Sequence, residues 1–147
     1  MAVDVSTETV IDGPLERVAD YSSNPDNAPK WYENIKAIEW ETPKPLKAGS
    51  RIAFVAKFLG RSMAYTYEVV EFVPHEVLVM RTAEGPFPME TTYAWRPTSD
   101  GKTRMTLRNR GSPVGFSRIA TPLMAFAMRR ANRKDLHKLK GLLEAGS

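Results

Sequence analysis

Residues 127–144, AMRRANRKDLHKLKGLLE, combine a regular apolar stripe with six basic side chains. The predicted helix begins earlier, because Thr121 is a suitable N-cap and Pro122 is favourable in a first helical turn. A helix over 122–144 would be about 35 Å long, enough to cross a small sheet. Its predicted buried stripe has spacings of three and four and consists of Ala125, Met128, Asn132, Leu136, Leu139 and Leu143.

The basic residues of this helix lie mostly away from the stripe. Arg129, Arg130 and Arg133 fall outside it, whereas Lys138 flanks it. We interpret these charges as the solvated back of a helix whose other side packs on a sheet. No nucleic-acid partner is predicted, because exposed aromatic side chains are not interleaved with the basic ones.

Strand patterns separated by turn signals fill most of the chain before this helix. Gly13-Pro14 ends the first strand and begins a short helix, and the following NPDNAPKW predicts a second single-turn helix or tight loop that bears Trp31. Seven mostly antiparallel strands are predicted over 2–11, 34–42, 50–59, 62–73, 76–83, 87–96 and 103–111.

Each well-patterned strand has one apolar face and one charged face. In the last strand, for example, Met105 and Leu107 alternate with Arg104 and Arg108. An antiparallel sheet with a single apolar face needs a cover, and the C-terminal helix supplies one. The predicted fold class is therefore α+β.

Composition excludes several classes of protein. The 147 residues are predicted to form one domain over 1–147, with no cysteine and only two histidines, so neither a metal site nor a cofactor is expected. The net charge of +4 is mild, and no run of residues is long and apolar enough to span a membrane stably. No secretory signal is visible at the start, and a cytoplasmic protein is expected.

Four segments carry a family resemblance: IDGPLERVADYSSNPDNAPKWYENI (11–35), AGSRIAFVAKFLGRSMAYTYEVVEFVPHEVL (48–78), EGPFPMETTYAW (84–95) and RRANRKDLHKLKGLLE (129–144). The chain resembles polyketide cyclase/dehydrase-type proteins of the START/Bet v-like (SRPBCC) superfamily. That resemblance implies a helix-grip fold, in which a curved sheet, two short helices and a long C-terminal helix enclose a cavity for an apolar ligand. It also implies an apolar residue where this chain has Asn132.

The inner face of the predicted sheet supplies the candidate site residues. Its aromatic side chains offer apolar walls with polar tips, although each one could equally be ordinary core. Arg81 shares this face if 77, 79 and 81 align, and otherwise lies at the sheet edge; Asn132 is either a satisfied core amide or a ligand anchor. The candidate ligand-binding residues are Trp31, Phe54, Phe58, Tyr65, Tyr67, Arg81, Met89, Thr91, Tyr93, Trp95, Asn109, Met128 and Asn132.

Binding of a hydrophobic or aromatic small molecule, lipid- or polyketide-like, is the function that these features favour. The first alternative is an enzyme, a polyketide cyclase/aromatase or dehydratase, although no catalytic dyad or triad can be identified. The second alternative is a protein-interaction module that uses the basic face or residues 115–126. Ile119, Leu123 and Phe126 are predicted to form an outward apolar patch there. Packing beneath the 111–121 loop is the preferred interpretation of this patch, and the alternatives are a homodimer contact, docking on the cavity mouth or contact with a membrane surface.

Overall fold

The computed structural model describes residues 3–58, 60–85, 88–111 and 120–146. All the predicted strands and helices are present, with small shifts at their ends. A turn of 3-10 helix at Pro25–Asn27 lies between the first two helices. The elements are β1 (Val3–Ile11), α1 (Leu15–Ser23), α2 (Ala28–Trp31), β2 (Ile35–Trp40), β3 (Arg51–Phe58), β4 (Arg61–Val73), β5 (Val77–Glu84), β6 (Met89–Pro97), β7 (Thr103–Gly111) and α3 (Ala120–Ala145).

The seven strands form one antiparallel sheet in the order β1-β7-β6-β5-β4-β3-β2. The first strand therefore pairs with the last, with Val3 opposite Gly111 and Ile11 opposite Thr103. Irregularities in pairing occur between Ile35 and Ala37 in β2 and at two places in β4. Because such bulges bend a strand and increase its twist, the sheet curves around its apolar face.

Helix α3 covers the concave face with the predicted stripe. Leu136, Leu139 and Leu143 are at most 3% exposed and belong to the main core. Met124 and Met128 pack near the start of the helix, in a second cluster with Val3 and Val5. The side chains of Arg130, Arg133, Lys134, His137 and Lys138 are exposed, which agrees with the interpretation of a solvated back.

The predicted outward apolar patch falls partly within the described residues. Leu123 and Phe126 are exposed on the first turns of α3. Ile119 lies outside the described residues. A homodimer contact through this patch stays a prediction.

The outer face of the sheet carries cross-strand ion pairs. Arg108 contacts Asp4 at 2.6 Å, and Arg104 contacts Glu8 at 2.9 Å, both between β7 and β1. Glu90 on β6 contacts Arg110 at 2.5 Å and Arg81 at 2.7 Å. Apart from Glu90, which is 15% exposed, these side chains are about half exposed, so each pair contributes little to stability and serves mainly to keep this face hydrophilic.

The prediction that Arg81 points inward is wrong. Its side chain is 60% exposed and pairs with Glu90 on the outer face. Leu78 and Met80 are the buried residues of β5, so its even-numbered positions face the helix. The sequence was ambiguous because apolar residues occupy both parities of this strand, as 77–80 read VLVM.

Within the described residues, no helix is long and apolar enough to cross a membrane.

The packing of α3 predicts a contrast between two leucines of that helix. Leu139 is completely buried, whereas Leu123 is 64% exposed. We expect Leu139→Ala to lower the free energy of unfolding by about 2–5 kcal/mol, because the substitution leaves a cavity between helix and sheet. Leu123→Ala, the matched control, should change it by no more than about 0.5 kcal/mol. Denaturant unfolding measures both, and equal losses would contradict this packing.

Candidate functional site

A cavity of about 130 Å³ lies between the concave face of the sheet and the middle of α3. Its walls come from β2 to β7, from α3, and from the segment between α2 and β2. Nine of the predicted site residues line it, namely Phe54, Tyr65, Tyr67, Met89, Thr91, Tyr93, Asn109, Met128 and Asn132.

Apolar and sulfur-containing side chains make up most of the wall. The rings of Phe54 and Tyr65 stack with centroids 5.4 Å apart, and Tyr67 meets Tyr65 edge-on at 5.1 Å. Methionine side chains have several rotatable bonds and adapt to the shape of a guest. Those that line the cavity are Met63, Met80, Met89, Met124 and Met128.

The remaining predicted residues do not contribute to the described wall. Trp95 is buried, and its Nε1 donates to Ser22 Oγ at 2.9 Å, so it fastens α1 to the sheet. Trp31 lies behind the wall, with its ring centroid 4.1 Å from that of Tyr32. The side chain of Phe58 lies outside the described part of the structure. Arg81 is on the outer face of the sheet.

A chain of hydrogen bonds crosses the floor of the cavity. Thr91 Oγ1 donates to Asn109 Oδ1 at 2.7 Å, so Tyr67 must be the donor in its 2.8 Å contact with Thr91 Oγ1. Thr91 and Asn109 are direct partners on β6 and β7, whereas Tyr67 reaches Thr91 across the intervening β5. Burial raises the pKa of Tyr67 to about 12, so its hydroxyl stays neutral at physiological pH.

A pair of tyrosines closes another part of the wall. The hydroxyl groups of Tyr32 and Tyr93 are 2.7 Å apart, and one donates to the other. Burial raises the pKa of both phenols well above the ordinary value. The pair holds two hydroxyl protons and uses one of them internally, so the second is available to another acceptor.

Asn132 and Asp135 bring polar groups to the cavity from α3. Asn132 is only 5% exposed, and its Nδ2 has no hydrogen-bond partner among the described residues. Asp135 follows three positions later, is 2% exposed, and accepts a hydrogen bond from the Glu33 backbone N–H at 3.0 Å. Residues three apart lie on one side of a helix, so both face the sheet.

Asp135 is the one carboxyl group among the described residues that line the cavity. Desolvation raises its pKa to about 6, and the negative charge of Glu33 acts in the same direction. The Glu33 N–H bond, Lys138 and Lys134 oppose this shift without cancelling it. The carboxyl group therefore titrates close to neutral pH.

Ten lining residues were not among the predicted site residues, and the polar Tyr32 and Asp135 matter most for the chemistry of the cavity. Asp135 is three residues after Asn132 and four before Leu139, so the helical spacing places it on the buried stripe. It would have been found if polar as well as apolar residues had been considered at these positions. Tyr32 had no such signal, because the WY pair does not show which ring faces inward.

Comparison with known proteins places this arrangement in a family. A sequence model described as "Polyketide cyclase / dehydrase and lipid transport" matches residues 2–144. The chain belongs to this family. The START-like resemblance inferred from the sequence is thereby confirmed, and no curated protein sequence matches the chain significantly.

Solved structures similar to this family member support the same fold. A protein of Thermus thermophilus is 21% identical, with a TM-score of 0.84 and coverage of 98% of this chain and 99% of that one. The Zhui aromatase/cyclase from Streptomyces sp. R1128 is 14% identical, with a TM-score of 0.80 and coverage of 98% and 94%. A START superfamily protein from Mycobacterium smegmatis is 15% identical, with a TM-score of 0.81 and coverage of 98% and 99%. At such identities the similarity establishes the helix-grip fold and nothing finer.

The raised pKa of Asp135 predicts how stability depends on pH. The pKa of Asp135 is about 6 in the folded protein, compared with the ordinary value of 3.8 that applies to the unfolded chain. The contribution of Asp135 to stability is therefore complete below about pH 4 and is lost as the pH rises through 6. Asp135→Asn keeps an oxygen for the Glu33 N–H and removes the charge. At pH 8 we expect this variant to be more stable than wild type by about 1–3 kcal/mol, with little difference at pH 4.

Urea unfolding at several pH values measures this difference. The control is Asp12→Asn, the same change at an exposed position, which should alter stability by no more than about 0.5 kcal/mol. If Asp135→Asn is less stable than wild type at pH 8, burial of the charged carboxylate does not destabilise the protein, and the prediction is wrong.

Proposed function

We propose that this protein binds a small hydrophobic or aromatic molecule in the cavity between the sheet and α3. The main observation in support of the proposal is that side chains leave this cavity unfilled. At about 24 cal/mol per Å³, an unfilled volume of 130 Å³ costs about 3 kcal/mol of stability, which larger side chains could recover. Retention of a cavity with an apolar wall and a few polar groups is typical of a ligand site.

The volume suggests a compact ligand. An engineered cavity of about 150 Å³ in another protein accepts benzene, so 130 Å³ suits a molecule of about one ring. Within the lipid- or polyketide-like range that the family suggests, this size favours small aromatic or short-chain compounds over long acyl chains. Phe54, Tyr65 and Met128 would supply most of the apolar contact.

Filling the cavity by substitution tests where the ligand binds. Ala56 lines the cavity, and Ala64 lies exposed on the neighbouring strand. We expect ethylbenzene to raise the melting temperature of the wild-type protein in a concentration-dependent way. Ala56→Leu should weaken this binding at least about tenfold, because the added methyl groups occupy the same space. Ala64→Leu, the same change on the outer face, should bind like wild type.

Two results would contradict the proposal. If Ala56→Leu binds as tightly as wild type, the ligand lies elsewhere. If neither ethylbenzene nor a wider panel of one-ring compounds shifts the melting temperature, and native mass spectrometry finds no copurified ligand, the protein is not a binder of this kind.

A second candidate function is an enzyme of the polyketide cyclase/aromatase or dehydratase type. The observation that favours it is Asp135, a buried carboxyl group that titrates near pH 6 beside the cavity. A pKa close to the working pH is what general acid–base catalysis requires, and cyclisation or dehydration needs proton transfers. The Streptomyces protein of similar fold is an aromatase/cyclase, but its 14% identity lends no support to a shared reaction.

Binding and catalysis can be separated at Asp135. If a one-ring β-hydroxy ketone loses its α-proton and its hydroxyl group as water to give the conjugated enone, Asp135→Asn should lower kcat by at least about 100-fold and leave the dissociation constant nearly unchanged. If the variant retains the wild-type kcat, the carboxyl group takes no part. Turnover is followed by the change in ultraviolet absorbance as conjugation develops.

A further inference from the structure

The side-chain N–H donor of Asn132 indicates what kind of ligand the cavity accepts. A buried donor without a partner costs about 1–3 kcal/mol, so a protein that keeps one usually has a use for it. Nδ2 of Asn132 has no partner among the described residues, and it lies at the wall of the cavity on a side chain that is 5% exposed. An apolar residue at this position would remove the cost.

The other polar groups around the cavity largely satisfy one another. Tyr67, Thr91 and Asn109 form a continuous hydrogen-bonded chain, and Tyr32 bonds to Tyr93. Two donors remain, Nδ2 of Asn132 and the second hydroxyl proton of the tyrosine pair, and the Asp135 carboxyl group is the remaining acceptor. A ligand that complements this wall must therefore bring an acceptor.

Charge restricts the ligand further. Among the described residues that line the cavity there is no Lys, Arg or His, and the single carboxyl group is that of Asp135. A carboxylate ligand would lose its hydration and would lie near a second negative charge at neutral pH, without a cation to compensate. An ammonium ligand would be attracted by the Asp135 carboxylate, but it has no acceptor for the Asn132 Nδ2 donor.

We propose that the ligand is an uncharged one-ring compound whose carbonyl-type oxygen accepts a hydrogen bond from Asn132 Nδ2. This inference rests on the proposed binding function and specifies its ligand class. It excludes free fatty acids and other carboxylates, and it assigns to Asn132 the anchoring role, while the aromatic and methionine side chains contact the ring.

A pair of nearly isosteric probes tests the inference. Acetophenone and ethylbenzene differ in a carbonyl oxygen, and each dissociation constant can be measured by calorimetry. Asn132→Leu should lower the ratio of acetophenone affinity to ethylbenzene affinity by about 5–10-fold, because one hydrogen bond is lost. Comparing ratios cancels the different hydration of the two probes. Wild-type protein should also bind acetophenone more tightly than benzoate or benzylammonium.

The outcomes distinguish this inference from the function on which it rests. If neither acetophenone nor ethylbenzene binds to wild type, the proposed function fails. If both bind and their affinity ratio is the same in Asn132→Leu, the cavity is a ligand site but Asn132 is not its anchor. Tighter binding of benzoate or benzylammonium would overturn the uncharged class.

A second measurement on the wild-type protein does not depend on the variant folding. The side-chain amide signal of Asn132, assigned by nuclear magnetic resonance, should shift downfield with acetophenone and much less with ethylbenzene. Equal shifts with the two probes would overturn the hydrogen bond.

Discussion

Helix α3 is held on the sheet at two separate places, and the space for a ligand lies between them. Near its end, Leu136, Leu139 and Leu143 are buried in the main core, and near its start, Met124 and Met128 pack in the cluster that contains Val3 and Val5. The helix is continuous between these two contacts, and a cavity of about 130 Å³ lies between it and the curved sheet. Because the two contacts fix the height of the helix, side chains in the gap do not have to fill it completely.

The two buried polar residues of α3, Asn132 and Asp135, lie over this gap. Asn132 and Asp135 occur where the stripe passes from the methionine cluster to the leucines, and neither contributes apolar contact to either core. Burial of these two groups destabilises the fold. The Asn132 Nδ2 has no hydrogen-bond partner in the part of the chain that the structure describes, and Asp135 carries a desolvated charge at neutral pH. Such local costs at the wall of a cavity are characteristic of positions selected for binding or chemistry rather than for stability.

The fold could be predicted from the sequence because its strands alternate clearly. Met105 and Leu107 on β7 have polar neighbours on both sides, so the sequence shows which face of that strand is buried. The spacing of Leu136, Leu139 and Leu143 identifies the covering helix. Arg81 was misplaced because residues 77–80 of β5, VLVM, are apolar on both faces, so the alternation of residue types does not show which face is buried. Asp135 was missed for a different reason: a carboxylate is rarely buried, and only the three-dimensional position of the Glu33 N–H makes its burial possible.

The position of a bound molecule relative to the methionine side chains tests the central claim most directly. The chain has seven methionines, and Met63, Met80, Met89, Met124 and Met128 line the cavity, whereas Met105 is fully buried away from it. With methyl-labelled methionine and ethylbenzene, we expect intermolecular nuclear Overhauser effects to the five cavity methyl groups and none to Met105. If saturating ethylbenzene gives no effect to these five methyl groups, the space beneath α3 is not a ligand site.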